Sequence, residues 1–285
     1  MVVAVVGLVG AVVLSACAGP SSTPVASPSA PSDTASTVVS PTPDASTAEP
    51  AAYFPLTPGS RYVYVGTVTD DEGSHDHSVT FTVTDLVAQV DLVTTRVVLD
   101  VDETLGEVTE SELAFFHQDA AGNTWTYAEY PEEYEEGTLI GAPNTWVAGQ
   151  SGATAGILVP AVPEPGVQFE QGKAPAVGFD DVGLVEEVGL STCVPTGCYE
   201  NAVRIKEWAP NAEADGFQYK VYAPAVGLVD VQVDGGASQE VMNLHEFTSI
   251  GAAEMEEVRA QAMELDARAR ESQPDYAAIS DLAQG

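Results

Sequence analysis

Alternation of apolar and polar residues is the feature that most limits the fold of this chain. Between residues 51 and 250 it recurs in short runs rich in β-branched and aromatic residues, separated by groups of Asp, Gly and Asn. A period of two predicts half-buried strands, because successive side chains point to opposite faces. The runs cover 62–69, 79–84, 94–101, 124–127, 202–208, 217–222 and 228–233. We predict a mainly β protein: an antiparallel meander with one solvated face, forming a curved open sheet or an open or closed barrel.

The N-terminus has the pattern of an export signal. An uncharged apolar run from Val2 to Leu14 leads into Leu14-Ser15-Ala16-Cys17, and it is too short for a transmembrane helix of about 20 residues. No Lys or Arg precedes the run; a start upstream of Met1 would supply one. The pattern resembles the lipobox of bacterial lipoproteins, in which cleavage precedes the cysteine and a lipid is attached to its sulfur. Residues 1–17 are therefore a predicted signal peptide, Cys17 is the predicted lipid attachment site, and the protein is predicted to be extracytoplasmic and anchored to the bacterial cell membrane.

Composition divides the rest of the chain into three segments. Residues 18–50 are almost wholly Ser, Thr, Pro and Ala and are predicted to be a disordered tether. Residues 51–250 form the predicted β domain, in which the Gly- and Pro-rich stretch 149–178 is expected to cross one end of the sheet and cover core rather than act as a lid. Residues 251–285 are a predicted C-terminal helix and tail. The helix has an apolar stripe of Met255, Val258, Ala262, Leu265 and Ala269 and is predicted to stop at Pro274. We expect the helix to dock on the domain; pairing with a partner helix and fraying are the alternatives.

The chain is strongly acidic. Its 9 basic and 43 acidic residues give a formal net charge of −34 at pH 7, and no Lys or Arg occurs between Arg96 and Lys173. Such a surface repels nucleic acid, which is not expected as a partner, and attracts cations or a basic envelope protein. The alternative is that the charge only keeps an exported protein soluble.

Cys193 and Cys198 are the cysteines that remain beside Cys17. They lie five residues apart around a Pro-x-Gly turn, and a hairpin would place them opposite each other, where an oxidising compartment would join them in a disulfide. A metal site is disfavoured because no third or fourth ligand lies nearby at a suitable spacing. The spacing also excludes a Cys-x-x-Cys redox pair.

His75 and His77 are weak candidates for a metal site. Two imidazoles two residues apart on a strand share a face, and Asp70, Asp71 and Glu72 lie beside them in sequence. Two histidines are too few for a closed structural site, and the group falls at a predicted hairpin tip, where exposed polar residues are expected anyway. No metal and no cofactor are therefore assigned.

Two further acidic runs are interpreted as exposed segments rather than metal sites. Residues 129–136 lack the ligand spacing and central Gly of an EF-hand loop and are expected to form a solvated hairpin end, as is the run 100–103. No Gly-x-Ser-x-Gly, His-Glu-x-x-His or Ser-x-x-Lys motif occurs, and no nucleophile is placed beside His117 or His245. No catalytic residue is assigned, and a non-enzymatic role is favoured.

Several motifs, taken in order, resemble a known family. The matching segments are Tyr53–Tyr64, Phe116–Tyr127, Glu129–Gly137, Ala155–Pro160, Cys193–Asn201, Lys206–Trp208 and Tyr222–Val229. Together they resemble an uncharacterised family of bacterial secreted and lipid-anchored β proteins. Ala225 departs from the pattern, which has glycine at that position. The resemblance implies a fold and an extracytoplasmic location, and it implies no catalytic residue or substrate.

Two function hypotheses follow from these patterns. In the first, the anchored β domain binds an apolar ligand in a sheet cavity, or an envelope partner through its acidic face, and strand aromatics such as Tyr62, Trp125 and Tyr222 line the cavity. In the second, the same aromatics fill the core, and the protein has a structural or envelope-interaction role with no small-molecule site. A hydrolase is the third and least favoured. The first two hypotheses differ in what they predict for the interior: the first requires an empty apolar cavity, and the second requires a solidly packed core.

Overall fold

The computed structural model describes residues 52–70, 73–212, 214, 216–237 and 239–285. The predicted signal peptide, Cys17 and the tether lie outside these residues, and the predicted domain boundaries remain predictions. Strands dominate the described chain. They are β1 (Ser60–Asp70), β2 (Gly73–Val90), β3 (Val93–Thr104), β4 (Glu107–Gln118), β5 (Thr124–Glu135), β6 (Thr138–Gly141), β7 (Trp146–Val147), β8 (Thr154–Val159), β9 (Gln168–Ala174), β10 (Phe179–Val194), β11 (Gly197–Trp208), β12 (Phe217–Ala223), β13 (Gly227–Asp234), β14 (Gln239–Ser249) and β15 (Ala283–Gln284). Helix α1 spans Ala252–Ser272, and a 3-10 helix spans Pro274–Ala278.

The sheet closes on itself. Among the described residues, twelve antiparallel strands follow one another in the order β1-β14-β13-β12-β11-β10-β9-β8-β5-β4-β3-β2, and β2 pairs with β1 to complete the ring. The closing pair runs from Arg61 opposite Thr82 to Asp70 opposite Gly73. Strands β6 and β7 pair with β5, and β15 pairs with the far end of β2. The prediction of a mainly β, antiparallel protein is confirmed, and the structure selects the closed-barrel alternative.

Aromatic rings fill one end of the barrel interior. Phe54, which precedes β1, lies 5.5 Å from Phe81, 5.4 Å from Phe116 and 6.3 Å from Tyr222, measured between ring centroids. The hydroxyl of Thr124 donates a hydrogen bond to the Phe54 carbonyl and so fixes this residue in the end of the barrel. The same cluster contains inward side chains from most of the strands around the ring. The apolar end of the interior is therefore packed with the chain's own side chains.

A second apolar layer lies on the outside of the barrel. On β3, Val98 points into the interior cluster, whereas its neighbours Val97 and Leu99 belong to an outer cluster with β2, β4, β5 and α1. The expectation of one solvated face is therefore wrong for this part of the sheet, because α1 covers it. Both faces of these strands are buried, which accounts for their nearly continuous apolar runs.

Helix α1 docks on this outer layer, as the favoured sequence interpretation holds. Its buried stripe contains all five predicted apolar positions, and Pro274 begins the 3-10 helix that follows. Arg268 in the last turns of α1 clamps the buried Glu132 of β5, with Nε 2.7 Å from Oε1 and Nη2 2.8 Å from Oε2. Burial by itself raises the pKa of Glu132, but hydrogen bonds from Arg268, Tyr134 and Tyr130 outweigh it and hold that pKa below its ordinary value.

Replacing Arg268 by Ala is expected to lower the free energy of unfolding by about 2–3 kcal/mol. The substitution leaves the Glu132 carboxylate buried with only two tyrosine hydroxyls as donors. Arg204→Ala is the matched control, because Arg204 pairs with Glu186 and Glu187 on the exposed surface and should cost at most about 1 kcal/mol. Urea unfolding measures both values. Equal losses in the two variants would contradict the role given to this clamp.

The Gly- and Pro-rich stretch 149–178 does not cross the end of the sheet as predicted. It contains β8 and β9, two members of the ring. Their alternation is hidden because small residues are needed where the strands approach closely: a Cβ on Gly156 would lie 2.2 Å from the backbone carbon of Gln171. Together with β4, β10 and β14, these two strands make up the five members of the ring that contain none of the predicted runs.

The predicted disulfide is present. Cys193 near the end of β10 lies opposite Cys198 near the start of β11, and their sulfur atoms are bonded across the hairpin. Because the bridge closes a loop of very few residues, it removes little entropy from the unfolded chain. It therefore fixes the tip of this hairpin more than it stabilises the barrel.

Candidate functional site

Acidic side chains fill the other end of the barrel interior. Continuing from Val98 along β3, the inward positions become Asp100 and Asp102. The neighbouring strand runs antiparallel, so that Asp100 lies opposite Glu112 and Asp102 opposite Glu110. Like charges directly opposite each other destabilise a sheet. The pairing of β3 and β4 therefore assembles carboxylates at a cost in folding free energy.

Three other strands add to the same group. We define the acidic cluster as the inward carboxylates at this end, each of them at most 8% exposed: Asp100, Asp102, Glu110, Glu112, Glu129, Glu207 and Glu240. The buried basic side chains of the described chain are His77 on β2 and Lys220 on β12. Isolated ionised carboxylates are very costly to bury. A cluster with this excess of acid must hold protons or bind cations.

Many atoms of the acidic cluster accept no hydrogen bond from the described protein. Both carboxylate oxygens of Asp100 and both of Glu240 lack a hydrogen-bond partner, as does one oxygen of Asp102. The atoms that also lack a hydrogen-bond partner are one oxygen each of Glu110, Glu112 and Glu129 and the Nε2 atom of His77. Buried polar atoms are normally satisfied, so a concentration of unsatisfied ones in one place calls for an explanation.

His77, Asp102 and Glu240 converge most closely. The Nε2 atom of His77 lies 3.1 Å from Oε1 of Glu240 and 4.0 Å from Oδ2 of Asp102, and the three donor atoms lie within 4.8 Å of one another. Neither the Nε2 atom of His77 nor Oε1 of Glu240 has a hydrogen-bond partner, so the 3.1 Å contact between them does not have the geometry of a hydrogen bond. The other ring nitrogen of His77 lies 3.0 Å from the Thr104 hydroxyl, which fixes the ring plane. One imidazole and two carboxylates therefore face a common point.

Burial changes the acidity of the cluster. It raises the pKa of Asp100 to about 8, with a further contribution from the charge of Glu240. It also raises the pKa of Glu129 to about 8, although the indole N–H of Trp146 donates a hydrogen bond to that carboxylate. The pKa values of Asp102, Glu110 and Glu112 lie well above the ordinary range, first because of burial and then because of neighbouring carboxylates.

Lys220 neutralises one side of the cluster. Its Nζ lies 2.7 Å from Oε2 of Glu207, whose other oxygen accepts a hydrogen bond from Gln171 at 2.8 Å. Burial by itself lowers the pKa of Lys220, but Glu207 and more distant carboxylates outweigh it and raise that pKa above its ordinary value. Lys220 is therefore charged at neutral pH. Beside this pair lies a cavity of about 10 Å³, room for about one water molecule.

The two histidine candidates have different environments. His75 is a quarter exposed at the side chain, and its Nε2 lies 3.6 Å from Oδ1 of Asp70, as expected for a hairpin tip. His77, two residues further along the same face of β2, is 2% exposed and lies inside the barrel. The expectation of an exposed polar group at this tip is thus wrong for His77. Its acidic neighbours Asp102 and Glu240 come from β3 and β14, not from the adjacent sequence.

The acidic runs also differ from the sequence interpretation. Residues 129–135 belong to β5 rather than to a solvated hairpin end, and both Glu129 and Glu132 are buried. Asp100 and Asp102 are likewise buried. The burial of both aspartates could have been predicted from the alternation along β3. Asp100 and Asp102 follow Val98 at intervals of two residues, so they point to the same, inward face of the strand.

A larger recess lies outside the barrel, between α1 and the outer face of β3 to β5. Its volume is about 730 Å³, and Tyr134, Leu265 and Arg268 are among the residues that line it. Glu107, Glu136 and Glu264 also line it, so it differs from the apolar pocket that a lipid-like ligand would need. Within the described part of the chain, no helix combines the length and the hydropathy needed to cross a membrane.

Comparison with known proteins gives distant structural likenesses. No protein-family model and no curated protein matches the chain. Among solved structures, one from Bacteroides fragilis, described as an exported protein with a YmcC-like fold, has 13% identity and a TM-score of 0.39. Another from Parabacteroides distasonis, described as a lipoprotein, has 13% identity and a TM-score of 0.33. Each match covers 70% of this chain and 100% of the other. At this level of similarity neither likeness establishes a function, and membership in the family that the motifs resemble stays a prediction.

Proposed function

We propose that this chain is an exported, lipid-anchored protein whose barrel binds a cation at its acidic end. One observation carries the proposal: seven buried carboxylates lie inside the barrel with Lys220 and His77 as buried bases, and many of their oxygens have no hydrogen-bond partner among the described residues. An enclosed cation supplies both the missing charge and the missing coordination.

The other ligands considered for the domain fit the interior less well. An apolar ligand needs an apolar cavity, and the apolar end of the barrel is occupied by Phe54 and the rings around it. A basic envelope protein can contact surface acids, but it cannot reach carboxylates such as Asp100 and Glu240, which are 1% exposed. In a purely structural protein the cluster would have to be held neutral by protons alone. A structural protein with a protonated interior is therefore the main alternative to a cation-binding protein.

Native mass spectrometry of the full chain purified from its host tests the cation proposal. The expected result is extra mass, equal to one or more metal ions, that disappears when the same sample is denatured. A bare chain mass that stays unchanged after calcium and zinc are offered would instead support a structural protein with a protonated interior.

Anchoring by Cys17 is tested by replacement with Ala. The variant is expected to move from the membrane fraction to the soluble fraction, because it removes the predicted site of lipid attachment and a lipid chain provides the membrane affinity. Cell fractionation followed by immunoblotting measures the distribution. Cys193→Ala is the matched control: it also removes a cysteine and should leave the protein with the membrane. Continued membrane association of the Cys17 variant would exclude the proposed anchor.

A further inference from the structure

Metal-binding residues can be assigned within the acidic cluster, on the basis of the proposed cation function. We infer that His77, Asp102 and Glu240 form a zinc-binding site inside the barrel. These three residues come from three strands: β2 and β3 are consecutive, whereas β14 is distant in sequence. In the ring, β2 pairs with β3 on one side and with β1 on the other, and β1 pairs with β14. The closure of the sheet between β1 and β2 is therefore what brings Glu240 to His77.

The donor geometry is close to what a zinc ion requires. Zinc binds imidazole nitrogen and carboxylate oxygen at about 2.0–2.2 Å, which places two tetrahedral donors about 3.4 Å apart. The observed separations of 3.1 Å and 4.0 Å from Nε2 of His77 bracket this value. Small side-chain movements suffice to complete the coordination. Three protein ligands leave a fourth position for water or another ligand.

The surroundings of His77 match those of a metal-bound histidine. Such a histidine usually uses one ring nitrogen for the metal and donates a hydrogen bond from the other. Here Nδ1 is in hydrogen-bond contact with the Thr104 hydroxyl, and Nε2 has no hydrogen-bond partner and faces two carboxylates. A proton on Nδ1 leaves the Nε2 lone pair directed toward the point where the carboxylates converge.

The choice of metal follows from the imidazole. Calcium and magnesium prefer sites made wholly of oxygen, whereas an imidazole together with carboxylates suits zinc and related first-row ions. Asp100 lies on the same face of β3 as Asp102, and both of its oxygens are unpartnered. Asp100 is therefore a further buried oxygen donor beside the three proposed ligands, on the same strand as Asp102.

Two partly exposed polar side chains lie near the proposed site, at the end of the barrel. Asp70 and His75 lie at the β1–β2 hairpin, with side chains 40% and 25% exposed. His75 occupies the inward position next to His77 on β2, so it stands between the hairpin end and the site. We expect these residues to offer a first, weaker contact for a cation that approaches this end of the barrel. The net negative charge of the chain favours the approach of a cation.

Isothermal titration of the full chain with zinc chloride, after removal of metal with a chelator, tests the assignment. We expect one zinc ion per chain and a loss of affinity of more than about 100-fold in His77→Gln. His117→Gln is the matched control, because His117 lies on β4 with its Nδ1 near the Thr94 carbonyl, outside the site, and should bind zinc as the parent does. Equal affinities in the His77 variant and the parent would overturn the assignment.

Glu240→Gln separates loss of ligand from loss of fold. Both oxygens of Glu240 lack hydrogen-bond partners, so the amide removes a buried charge without breaking a hydrogen bond. We expect this variant to lose zinc binding while its Tm in chelator equals or exceeds that of the parent. If His75→Gln loses zinc binding and Glu240→Gln retains it, the ion binds at the hairpin tip and the assignment is wrong.

Calcium distinguishes failure of the zinc site from failure of the proposed function. If calcium binds inside the barrel more tightly than zinc, and His77→Gln does not weaken it, the proposed cation function stands and the zinc assignment fails. If neither ion binds and the metal-free protein shows an unchanged Tm with both, the zinc assignment and the proposed function fail together.

Discussion

Replacing Lys220 by Met is expected to lower the free energy of unfolding by about 3–5 kcal/mol. The side chain is 2% exposed, and its ammonium group lies 2.7 Å from Glu207. Removing one partner of a buried ion pair leaves the other charge uncompensated, which is far more costly than losing a surface pair. The loss is increased by the remaining carboxylates of the acidic cluster, since Lys220 also lowers the pKa of Glu129 through its charge. Urea unfolding in the presence of a chelator measures the effect.

Two further variants define the origin of the Lys220 effect. Lys173→Met removes an ammonium group that pairs with Asp180 at the surface, and it should cost at most about 1 kcal/mol. The double variant Lys220→Met/Glu207→Gln should recover most of the loss, because Glu207 no longer carries an uncompensated charge and the amide oxygen can still accept from Gln171. No recovery in the double variant would show that the methionine disturbs packing rather than charge balance.

The metal-free protein is expected to lose stability as the pH rises from 5 to 9. Burial raises the folded-state pKa of Glu129 to about 8 and that of Asp181 to about 7, whereas both are near 4 in the unfolded chain. Between these values the folded state binds more protons than the unfolded state, so the free energy of unfolding falls with pH. The contribution is complete below about pH 4 and is lost as the pH passes the folded-state values. Since one pKa unit corresponds to about 1.4 kcal/mol, the total is several kcal/mol.

Glu129→Gln is the variant that tests this pH dependence. It keeps an oxygen to accept the hydrogen bond from Trp146 and removes one titrating carboxyl group, so the fall in stability should become shallower. Glu103→Gln, at an exposed position of β3, should leave the slope unchanged. Chemical unfolding midpoints in chelator, taken at intervals of pH, give the slopes. A parent protein that becomes more stable between pH 5 and 9 would contradict a buried, protonated cluster.

Much of the fold is predictable from the sequence because its strands are half-buried in the ordinary way. The alternation in Tyr62–Thr69 and Leu228–Val233 marks strands that the structure contains, and the apolar stripe of α1 predicts both the helix and its docked face. The predicted runs do not include the ring strands β4, β8, β9, β10 and β14. For β8 the reason is visible at Gly156, where close approach of the backbone of Gln171 leaves no room for a side chain. The closure of the ring depends on pairing between β1 and both of its neighbours, and no local pattern specifies it.

The candidate site was only partly predictable. His77 is recognisable as a possible ligand, but its partners come from β3 and β14, and sequence proximity suggests Asp70 to Glu72 instead. The sequence predicts exposure for the acidic runs because they lack the spacing of a calcium-binding loop, and carboxylates are rarely buried without partners. Asp100 and Asp102 are buried in spite of that rule. The only sign of their burial in the sequence is that they occupy the same alternating positions of β3 as the inward-facing Val98. A departure of this kind is more informative about function than the acidic composition as a whole.

The zinc assignment places a metal ion inside the barrel between His77, Asp102 and Glu240. The most direct measurement is X-ray diffraction from zinc-soaked crystals of the full chain, recorded on both sides of the zinc absorption edge. We expect an anomalous peak at bonding distance from Nε2 of His77 and from one oxygen of each carboxylate. Anomalous peaks only at surface acids, with the His77 ring and the Glu240 carboxylate unmoved, would contradict it.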